Sequence, residues 1–211
     1  MIEIINKAPI KLNFKQKPSF ELFETIKIEN GNIYNLAYHQ ARVEFAFRNY
    51  YKKLAPFHLA SFLHELPKQG LFRAKIVYNQ KGVCSVSYYP YQKKAIQKVL
   101  LVENSAFEYR FKYLNRAFFD YLYKNFDADE FIITRHGFIK EFSIGNIALK
   151  SVNRYYTPRD PFLLGTSLKR HLFNKKVTFK KIHYKDLPKY STIALLNAMV
   201  DFQEFAIKVE L

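Results

Sequence analysis

Cysteine and tryptophan are nearly absent: the 211 residues include one cysteine, Cys84, and no tryptophan. A single cysteine excludes an internal disulfide and is typical of a protein in a reducing compartment. No apolar run comes near the ~20 residues that a membrane-spanning helix needs, and the charges near the start argue against a secretory signal. The six histidines are scattered and show no zinc-ligand spacing. These absences predict a cytoplasmic protein without a membrane span or a bound metal.

Acidic residues are also scarce, with 18 against 34 lysines and arginines, which gives a formal charge of +16. Such a charge raises the question of nucleic-acid binding. The lysines, however, are spread along the whole chain and occur in pairs at most, without a basic helix or the signature of a nucleic-acid-binding fold. We therefore expect no nucleic-acid partner and favour a solvated basic surface, with attraction of small anionic substrates as the second interpretation.

Glycine is the third scarce residue type, with six in the chain, so each one between two strand-like runs is informative. Three short turn segments each lie between two apolar or alternating runs, and they contain Gly31, Gly82 and Gly137. The Asn-Gly pair at 30–31 is a strong hairpin signal. The pattern predicts three β-hairpins, with strands at 24–28 and 33–36, 73–78 and 83–89, and 130–134 and 138–142.

Helical periodicity fills much of the remaining chain and predicts four helices, at 37–51, 58–66, 114–126 and 167–174. The first is expected to be mostly buried, and the third to turn Phe118, Tyr121 and Leu122 inward. Closing strands are expected at 193–199 and 205–209. Hairpins thus predominate over βαβ units, which indicates an α+β protein with a boundary near residues 106–110.

Lys112 lies between two aromatic residues just before a predicted helix. A lysine in apolar surroundings has a lowered pKa and can form a Schiff base. Taken alone, a lysine in this lysine-rich chain is more often a surface residue.

Four other positions carry groups that suit an anionic or heteroaromatic ligand. Glu141 is a candidate buried carboxylate, and its alternative is an exposed charge at the end of a strand. Thr166 and Ser167 follow Gly165 at a helix start, which suits a phosphate but is also an ordinary helix cap. Arg42 lies on the helix after the first hairpin and could bind a phosphate or simply face solvent.

The order and spacing of these residues resemble class IV aminotransferases. The resemblance runs from about residue 20 to residue 202. It rests on the following segments: Phe23-Glu24-Thr25-Ile26-Lys27, His39-Gln40-Ala41-Arg42, Lys112 to Arg116, Glu141 to Ile147, Thr157-Pro158, and Leu163 to Ser167. It implies that pyridoxal 5'-phosphate (PLP) is the cofactor and Lys112 its Schiff-base lysine. Arg42, Thr166 and Ser167 are implied to bind the phosphate, and Glu141 and Asn146 to belong to the cofactor site.

Within this superfamily the chain is most similar to the 4-amino-4-deoxychorismate lyases. Thr25 stands where many aminotransferases have glycine, the segment 143–146 resembles a Thr-Ile-Gly-Asn of the lyases, and Asn197 matches an asparagine near their end. Thr25 and Asn197 are therefore candidate substrate contacts. The chain departs from the family by lacking a proline before Gly165 and by carrying Leu168 where an arginine is common.

Three functions remain open from the sequence. The first is a lyase that eliminates pyruvate from 4-amino-4-deoxychorismate to give 4-aminobenzoate for folate synthesis. The second is an aminotransferase for branched-chain or D-amino acids, and the third is a non-catalytic or nucleic-acid-binding protein, against which the intact Lys112 and Glu141 argue.

The resemblance also implies a fold and an assembly. The expected fold is the α+β, D-amino-acid-aminotransferase-like fold, with a small α+β domain at residues 1–108 and a larger barrel-like domain at 109–211. A homodimer is implied, acting on a small anionic substrate, with aminodeoxychorismate synthase as a candidate partner.

Overall fold

The computed structural model describes residues 1–209, and its contacts divide the chain into two compact units. The smaller unit comprises Lys17–Lys93 and Phe111–Asn115. The larger unit comprises Met1–Gln16, Lys94–Arg110 and the chain from Arg116 onward. The first strand therefore packs with the C-terminal half, although the sequence prediction placed it in the N-terminal domain.

The described residues form fourteen strands and three α-helices. The strands are β1 (Ile2–Ile4), β2 (Ile10–Lys11), β3 (Leu22–Glu29), β4 (Asn32–Ile33), β5 (Leu71–Asn79), β6 (Gly82–Pro90), β7 (Lys98–Glu103), β8 (Glu130–Arg135), β9 (Phe138–Phe142), β10 (Asn146–Ser151), β11 (Arg154–Pro158), β12 (Val177–Lys180), β13 (Thr192–Leu196) and β14 (Gln203–Val209). The helices are α1 (Leu36–Ala46), α2 (Ala117–Asn125) and α3 (Thr166–Phe173). A π-helical turn (Phe47–Tyr51) continues α1, and two 3-10 turns occupy Leu59–Phe62 and Tyr184–Lys189.

The smaller unit is an antiparallel sheet in the order β4-β3-β5-β6, with α1 packed on one face. Alternate side chains of β3 point to opposite faces because a strand has a period of two residues. Glu24, Ile26 and Ile28 are fully buried, whereas Thr25 and Lys27 are half-buried. The sheet thus has one closed face and one accessible face. The candidate site residues of this unit are divided between these two faces.

The larger unit is built on one mixed sheet in the order β12-β11-β10-β13-β14-β1-β7-β8-β9, with β2 paired to β7. The sheet curls into a half-barrel, so that its end strand β9 contacts β10 and β11. An apolar core lines the sheet and includes Ile4, Val99, Ile132 and Leu149. The curl brings the end of β9 and the start of β10 together with the loop before α3.

The three predicted hairpins are confirmed as β3-β4, β5-β6 and β8-β9. Asn30, Gly31, His136 and Gly137 all have positive φ, as tight turns between such strands require. The half-barrel sheet and the separate four-stranded sheet, each with helices, also confirm the α+β fold class.

Other elements differ from the sequence prediction. The predicted helix at 58–66 is wrong, since only Leu59–Phe62 form a 3-10 turn and Glu65 has a φ of +49°. The third helix starts three residues late, at Ala117, because Tyr113 and Leu114 bond to the chain next to β3 instead. Tyr121 on that helix is 38% exposed rather than inward.

The first helix also differs in detail from the prediction. It spans the predicted residues, but the side that carries Ala41 and Phe45 is exposed. The buried side carries His39, Arg42, Val43 and Ala46. The helix is therefore amphipathic, and its buried side includes two ionisable groups.

Candidate active site

Lys112 lies in a short extended segment that is fixed against the small sheet. The Phe23 N–H donates to the carbonyl of Lys112 at 3.0 Å, and Tyr113 forms an isolated β-bridge with Leu22. On the other side Phe111 stacks against Tyr50, with ring centroids 4.9 Å apart. Backbone bonds and aromatic packing thus hold Lys112 in place ahead of α2, and the sequence also predicted it to lie before that helix.

The amine of Lys112 lies on the accessible face of β3. Its Nζ is 4.4 Å from the centre of the Phe23 ring, and Nζ of Lys75 is 5.6 Å from the same ring. Thr25 is two residues from Phe23 on the same face and pairs directly with Lys75 on β5. Lys112 and Thr25 therefore occupy one face of one sheet.

Further cations line this face. Lys27 on β3 pairs directly with Arg73 on β5, and Arg73 pairs with Tyr89 on β6. The Nζ of Lys27 is 2.8 Å from the carboxylate of Glu29, while the Arg73 guanidinium lies 5.2 Å from the Tyr89 ring centre. We call the group Lys27, Arg73, Lys75 and Lys112 the cationic face, and it suits a small anion with more than one carboxylate.

The opposite face of β3 carries a buried ionic cluster. Arg42 donates from Nε to Oε1 of Glu24 at 2.8 Å and from Nη2 to Oε2 at 2.5 Å, and Nδ1 of His39 is 2.6 Å from Oε2. Burial alone would raise the pKa of Glu24, but the charge of Arg42 and the His39 bond lower that pKa to about 2. The Glu24 carboxylate is thus ionised and paired in the folded protein.

His39 completes this cluster. Burial lowers the pKa of His39, although the bond to Glu24 acts in the opposite direction. Its Nε2 is buried and has no hydrogen-bond partner among residues 1–209. Because the motif His39 to Arg42 spans one turn of α1, the two side chains reach the same carboxylate. The family resemblance includes Glu24 but implies no role for it. Its partners His39 and Arg42 lie 15 and 18 residues away in sequence, so the pairing is visible only in the fold.

Glu141 and Asn146 meet in the larger unit at the loop before α3. The Leu163 N–H donates to Oε2 of Glu141 at 3.0 Å. Asn146 donates from Nδ2 to the Leu163 carbonyl at 2.8 Å and accepts from the Gly165 N–H at 3.0 Å. Both side chains are nearly fully buried. Two predicted cofactor residues thus fix the segment that leads into the helix start at Thr166.

Gly165 can only be a glycine in this arrangement. A Cβ on Gly165 would lie 2.4 Å from Oδ1 of Asn146, which is closer than a real Cβ contact. Gly145 is similarly constrained, because a Cβ there would lie 2.6 Å from the Leu196 carbonyl oxygen. The turn before Asn146 and the loop before Thr166 are therefore close-packed, as a small-ligand cradle requires.

The two hydroxyl residues at the start of α3 have different surroundings. Thr166 is nearly fully buried as the first residue of α3. The Ser167 hydroxyl donates to the carbonyl of Asp201 at 2.6 Å and is 3.1 Å from its Oδ1. Arg170 and His171 also contact Oδ1 of Asp201. Ser167 thus links α3 to the turn after β13, and its predicted phosphate contact stays a prediction.

Asn197 begins that same turn. Its Oδ1 accepts from the N–H groups of Met199 and Val200 at 2.9 and 3.0 Å, and its Nδ2 donates to the Ile144 carbonyl at 3.3 Å. The structure thus brings Glu141, Asn146, Thr166, Ser167 and Asn197 together in the larger unit. Lys112, Thr25 and Arg42 lie in the smaller unit.

Comparison with known proteins identifies the family of this chain. The model of the family described as Amino-transferase class IV matches residues 21–206. An uncharacterized protein of Haemophilus influenzae is 35% identical over 186 residues, which cover 85% of this chain and 98% of the relative. Across the residues that the structure describes, no helix is long and apolar enough to cross a membrane.

Solved structures give the same family. A protein from Haemophilus somnus 129PT, provisionally assigned as a 4-amino-4-deoxychorismate lyase, is 35% identical with a TM-score of 0.78, covering 85% of this chain and 96% of that one. An aminotransferase from Brucella abortus with bound PLP has the same fold, at 14% identity and a TM-score of 0.66, covering 95% of this chain and 89% of that one. Together with the family match over most of its length, these likenesses show that the chain belongs to the class IV aminotransferases.

Proposed function

We propose that the protein is a PLP-dependent 4-amino-4-deoxychorismate lyase, which supplies 4-aminobenzoate for folate synthesis. The observation that carries the proposal is the position of Lys112 against Phe23, on the face of β3 that also carries Thr25 and the other cations. A reactive amine next to several cations suits a substrate that bears two carboxylates. The likeness to the Haemophilus somnus protein supports the same reaction class.

The residues present fit PLP. The charge of Lys112 acts on His39, so the Glu24 cluster lies within electrostatic range of the amine. Arg42, whose guanidinium plane is set by Glu24, would bind the phosphate, and the start of α3 at Thr166 and Ser167 is a second candidate phosphate contact. The buried carboxylate of Glu141 would hold the pyridine nitrogen, and Lys112 would carry the cofactor. Bound PLP supplies an electron sink for the bond-breaking step.

Lys112 would move the proton in the reaction. Its amine would take the proton from the substrate carbon that bears the amino group and return it to the departing enolpyruvyl group, which leaves as pyruvate. The remaining ring becomes aromatic as 4-aminobenzoate, so the atoms of the substrate are divided between the two products. Phe23 beneath the amine limits water around it.

Thr25 and the cationic face would orient the substrate, and Asn197 would contribute from the turn after β13. Among the cations, Lys75 and Arg73 are the stronger candidates, because Lys27 is already paired with Glu29. The reaction thus assigns proton transfer to one lysine and charge recognition to its neighbours.

The test is a product assay with purified protein, PLP and 4-amino-4-deoxychorismate. Equal amounts of pyruvate and 4-aminobenzoate, formed without a keto acid, are expected. Lys112→Ala is expected to lower the rate at least ~1,000-fold because it removes the proton-transfer group. Lys150→Ala, on the interior strand β10 of the larger sheet, is the control for loss of one charge. Transfer of an amino group to a keto acid without 4-aminobenzoate would contradict the lyase.

That contrary outcome defines the second candidate, an aminotransferase for branched-chain or D-amino acids, which the family match favours. We also propose a homodimer in either case, with aminodeoxychorismate synthase as a candidate partner of the lyase. Sedimentation at micromolar concentration should give twice the chain mass of 25.1 kDa. A species of the chain mass alone would contradict the dimer.

A further inference from the structure

Glu130 is a fully buried carboxyl group that the proposed reaction does not use. It begins β8 in the larger unit. Its Oε1 accepts from the N–H of Phe131 at 2.9 Å, from the N–H of Ser143 at 3.0 Å and from the Ser143 hydroxyl. Its Oε2 is 3.1 Å from the Tyr123 hydroxyl of α2. Four contacts on one buried carboxyl indicate a specific role.

These contacts converge on the turn that joins β9 to β10. Ser143 lies two residues after Glu141 and three before Asn146. The turn closes with a bond of 2.8 Å from the Phe142 N–H to the Gly145 carbonyl. Arg116 also donates to the Ser143 carbonyl, at 3.0 Å. The two side chains that fix the loop before α3 therefore stand at the two ends of a turn that Glu130 holds.

We propose that Glu130 is a positioning residue for the cofactor site and that it acts as a neutral carboxylic acid. The inference rests on the proposed function, because it concerns where Glu141 and Asn146 are held for PLP. Glu130 itself touches neither the cofactor nor the substrate. It acts through the Ser143 turn.

The neutral state follows from a count of protons. Glu130, Ser143 and Tyr123 form a closed ring of three contacts, in which the two hydroxyl oxygens are 2.6 Å apart. Each hydroxyl brings one donor proton, so the hydroxyls supply two of the three contacts. A neutral Glu130 supplies the third: its Oε2 donates to Tyr123, Tyr123 donates to Ser143, and Ser143 donates to Oε1.

The surrounding charges agree with this assignment. Burial raises the pKa of Glu130, and this effect exceeds the lowering by the Ser143, Phe131 and Tyr123 bonds and by the Lys94 charge. Lys94 lies with Nζ 4.3 Å from the centre of the Tyr123 ring and donates to the Asp129 carbonyl. Arg116 bonds to the turn carbonyl rather than to Glu130. A neutral acid thus fixes the turn without adding a second negative charge near Glu141.

The test compares Glu130→Gln, Glu130→Ala and Glu103→Ala. Gln keeps an acceptor for Ser143 and a donor for Tyr123, so it should bind PLP within about twofold of wild type. Ala removes both, and its affinity for PLP should fall ~10- to 100-fold, the range typical of lost outer contacts at a bound group. Glu103 accepts N–H bonds from His136 and Gly137 at 2.6 and 3.0 Å, at the far end of the same hairpin, and is the matched control for affinity.

Two measurements are made on each protein: PLP affinity by spectroscopic titration, and hydrogen exchange of the peptide containing residues 141–147 in the cofactor-free protein. Glu130→Ala should speed exchange in that peptide at least ~10-fold, whereas Glu103→Ala should not. If Glu130→Ala lowers the melting temperature but leaves affinity and exchange unchanged where it is folded, the positioning role is wrong. If Glu130→Gln behaves like Glu130→Ala, the carboxyl is ionised.

Failure of this proposal can be told from failure of the proposed function. Should wild-type protein bind no PLP, the hydrogen exchange still decides whether Glu130 fixes the turn. Should Glu130→Ala not fold, Tyr123→Phe opens the same ring more mildly. It is expected to weaken PLP binding ~3-fold, and unchanged affinity and exchange would then overturn the proposal.

Discussion

Two fully buried glutamates contact residues of the candidate site, and their pKa values are shifted in opposite directions. In the smaller unit Glu24 is paired with Arg42 and His39, and its pKa is lowered to about 2. In the larger unit Glu130 has hydroxyl and N–H partners only, and burial raises its pKa. The comparison indicates that the neighbouring groups set the direction of the pKa shift of a buried carboxyl: a guanidinium lowers the pKa, whereas hydroxyl and N–H partners leave the effect of burial larger.

The largest effect on stability is expected when Arg42, the cation paired with Glu24, is removed. Arg42→Met leaves the Glu24 carboxylate buried without its main partner, so the free energy of unfolding should fall by about 3–5 kcal/mol. PLP affinity should fall as well, because the same side chain is proposed to bind the phosphate. Urea unfolding followed by circular dichroism measures the first effect.

Arg48→Met is the control, since Arg48 is exposed on the π-helical turn that continues the same helix. It should change stability by less than ~0.5 kcal/mol. An equal loss in both variants would show that charge on this helix, rather than the Glu24 pair, stabilises the unit.

The pH dependence of stability should separate the two glutamates by sign. The Glu24 pKa is depressed, so its contribution is present above its ordinary pKa of 4.5 and is lost as pH falls toward about 2. The Glu130 pKa is raised, so the unfolded chain releases this proton first, and its contribution declines as pH rises above 4.5. Glu24→Gln should therefore flatten the acid limb of the stability curve, and Glu130→Gln should flatten the decline above it.

Unfolding midpoints measured between pH 3 and pH 7 on wild type and both variants test this pair of signs, with the pH range set by the carboxyl pKa of ~4. Because each variant differs from wild type by one isosteric group, each serves as the other's control. A change of the same sign in both would contradict the assignment of opposite protonation states.

The smallest effect should come from the neutral ring. Tyr123→Phe removes one uncharged hydroxyl contact, and the free energy of unfolding should fall by about 0.5–1.5 kcal/mol. Tyr121→Phe, on the exposed side of the same helix, is the matched control and should be neutral. A Tyr123 effect as large as that of Arg42→Met would mean that the ring contains a buried charge after all.

Much of the fold was predictable because its signals are local. Turn residues at Gly31, Gly82 and Gly137 sufficed for the three hairpins, since a tight turn forces the flanking strands together. β1 and β7 were missed, because each is a short or apolar strand whose partners are far away in sequence. The helix predicted at 58–66 failed because periodicity cannot detect the positive φ at Glu65.

In the candidate site, too, features with a local sequence signal were predictable, and contacts between distant residues were not. Lys112, Glu141 and Arg42 were recognisable from motif order, and their catalytic and binding roles stay predictions. Their supports were not recognisable, because a carboxylate such as Glu24 or Glu130 gains its role from partners that only the fold brings near. Ser167 illustrates the reverse case: a helix-start hydroxyl that suits a phosphate is bonded to Asp201.

The position of β1 bears on how the chain folds during synthesis. β1 lies between β14 and β7 in the large sheet, and Ile2 pairs with Ile207. During synthesis β1 must therefore wait for β14, which follows it by most of this sequence, whereas the small sheet consists of neighbouring segments and can form early. Contacts of such long sequence separation slow folding, because the loop must close before they contribute. We expect the small sheet to form before the half-barrel, with the larger apolar surface left open until β14 has been synthesised.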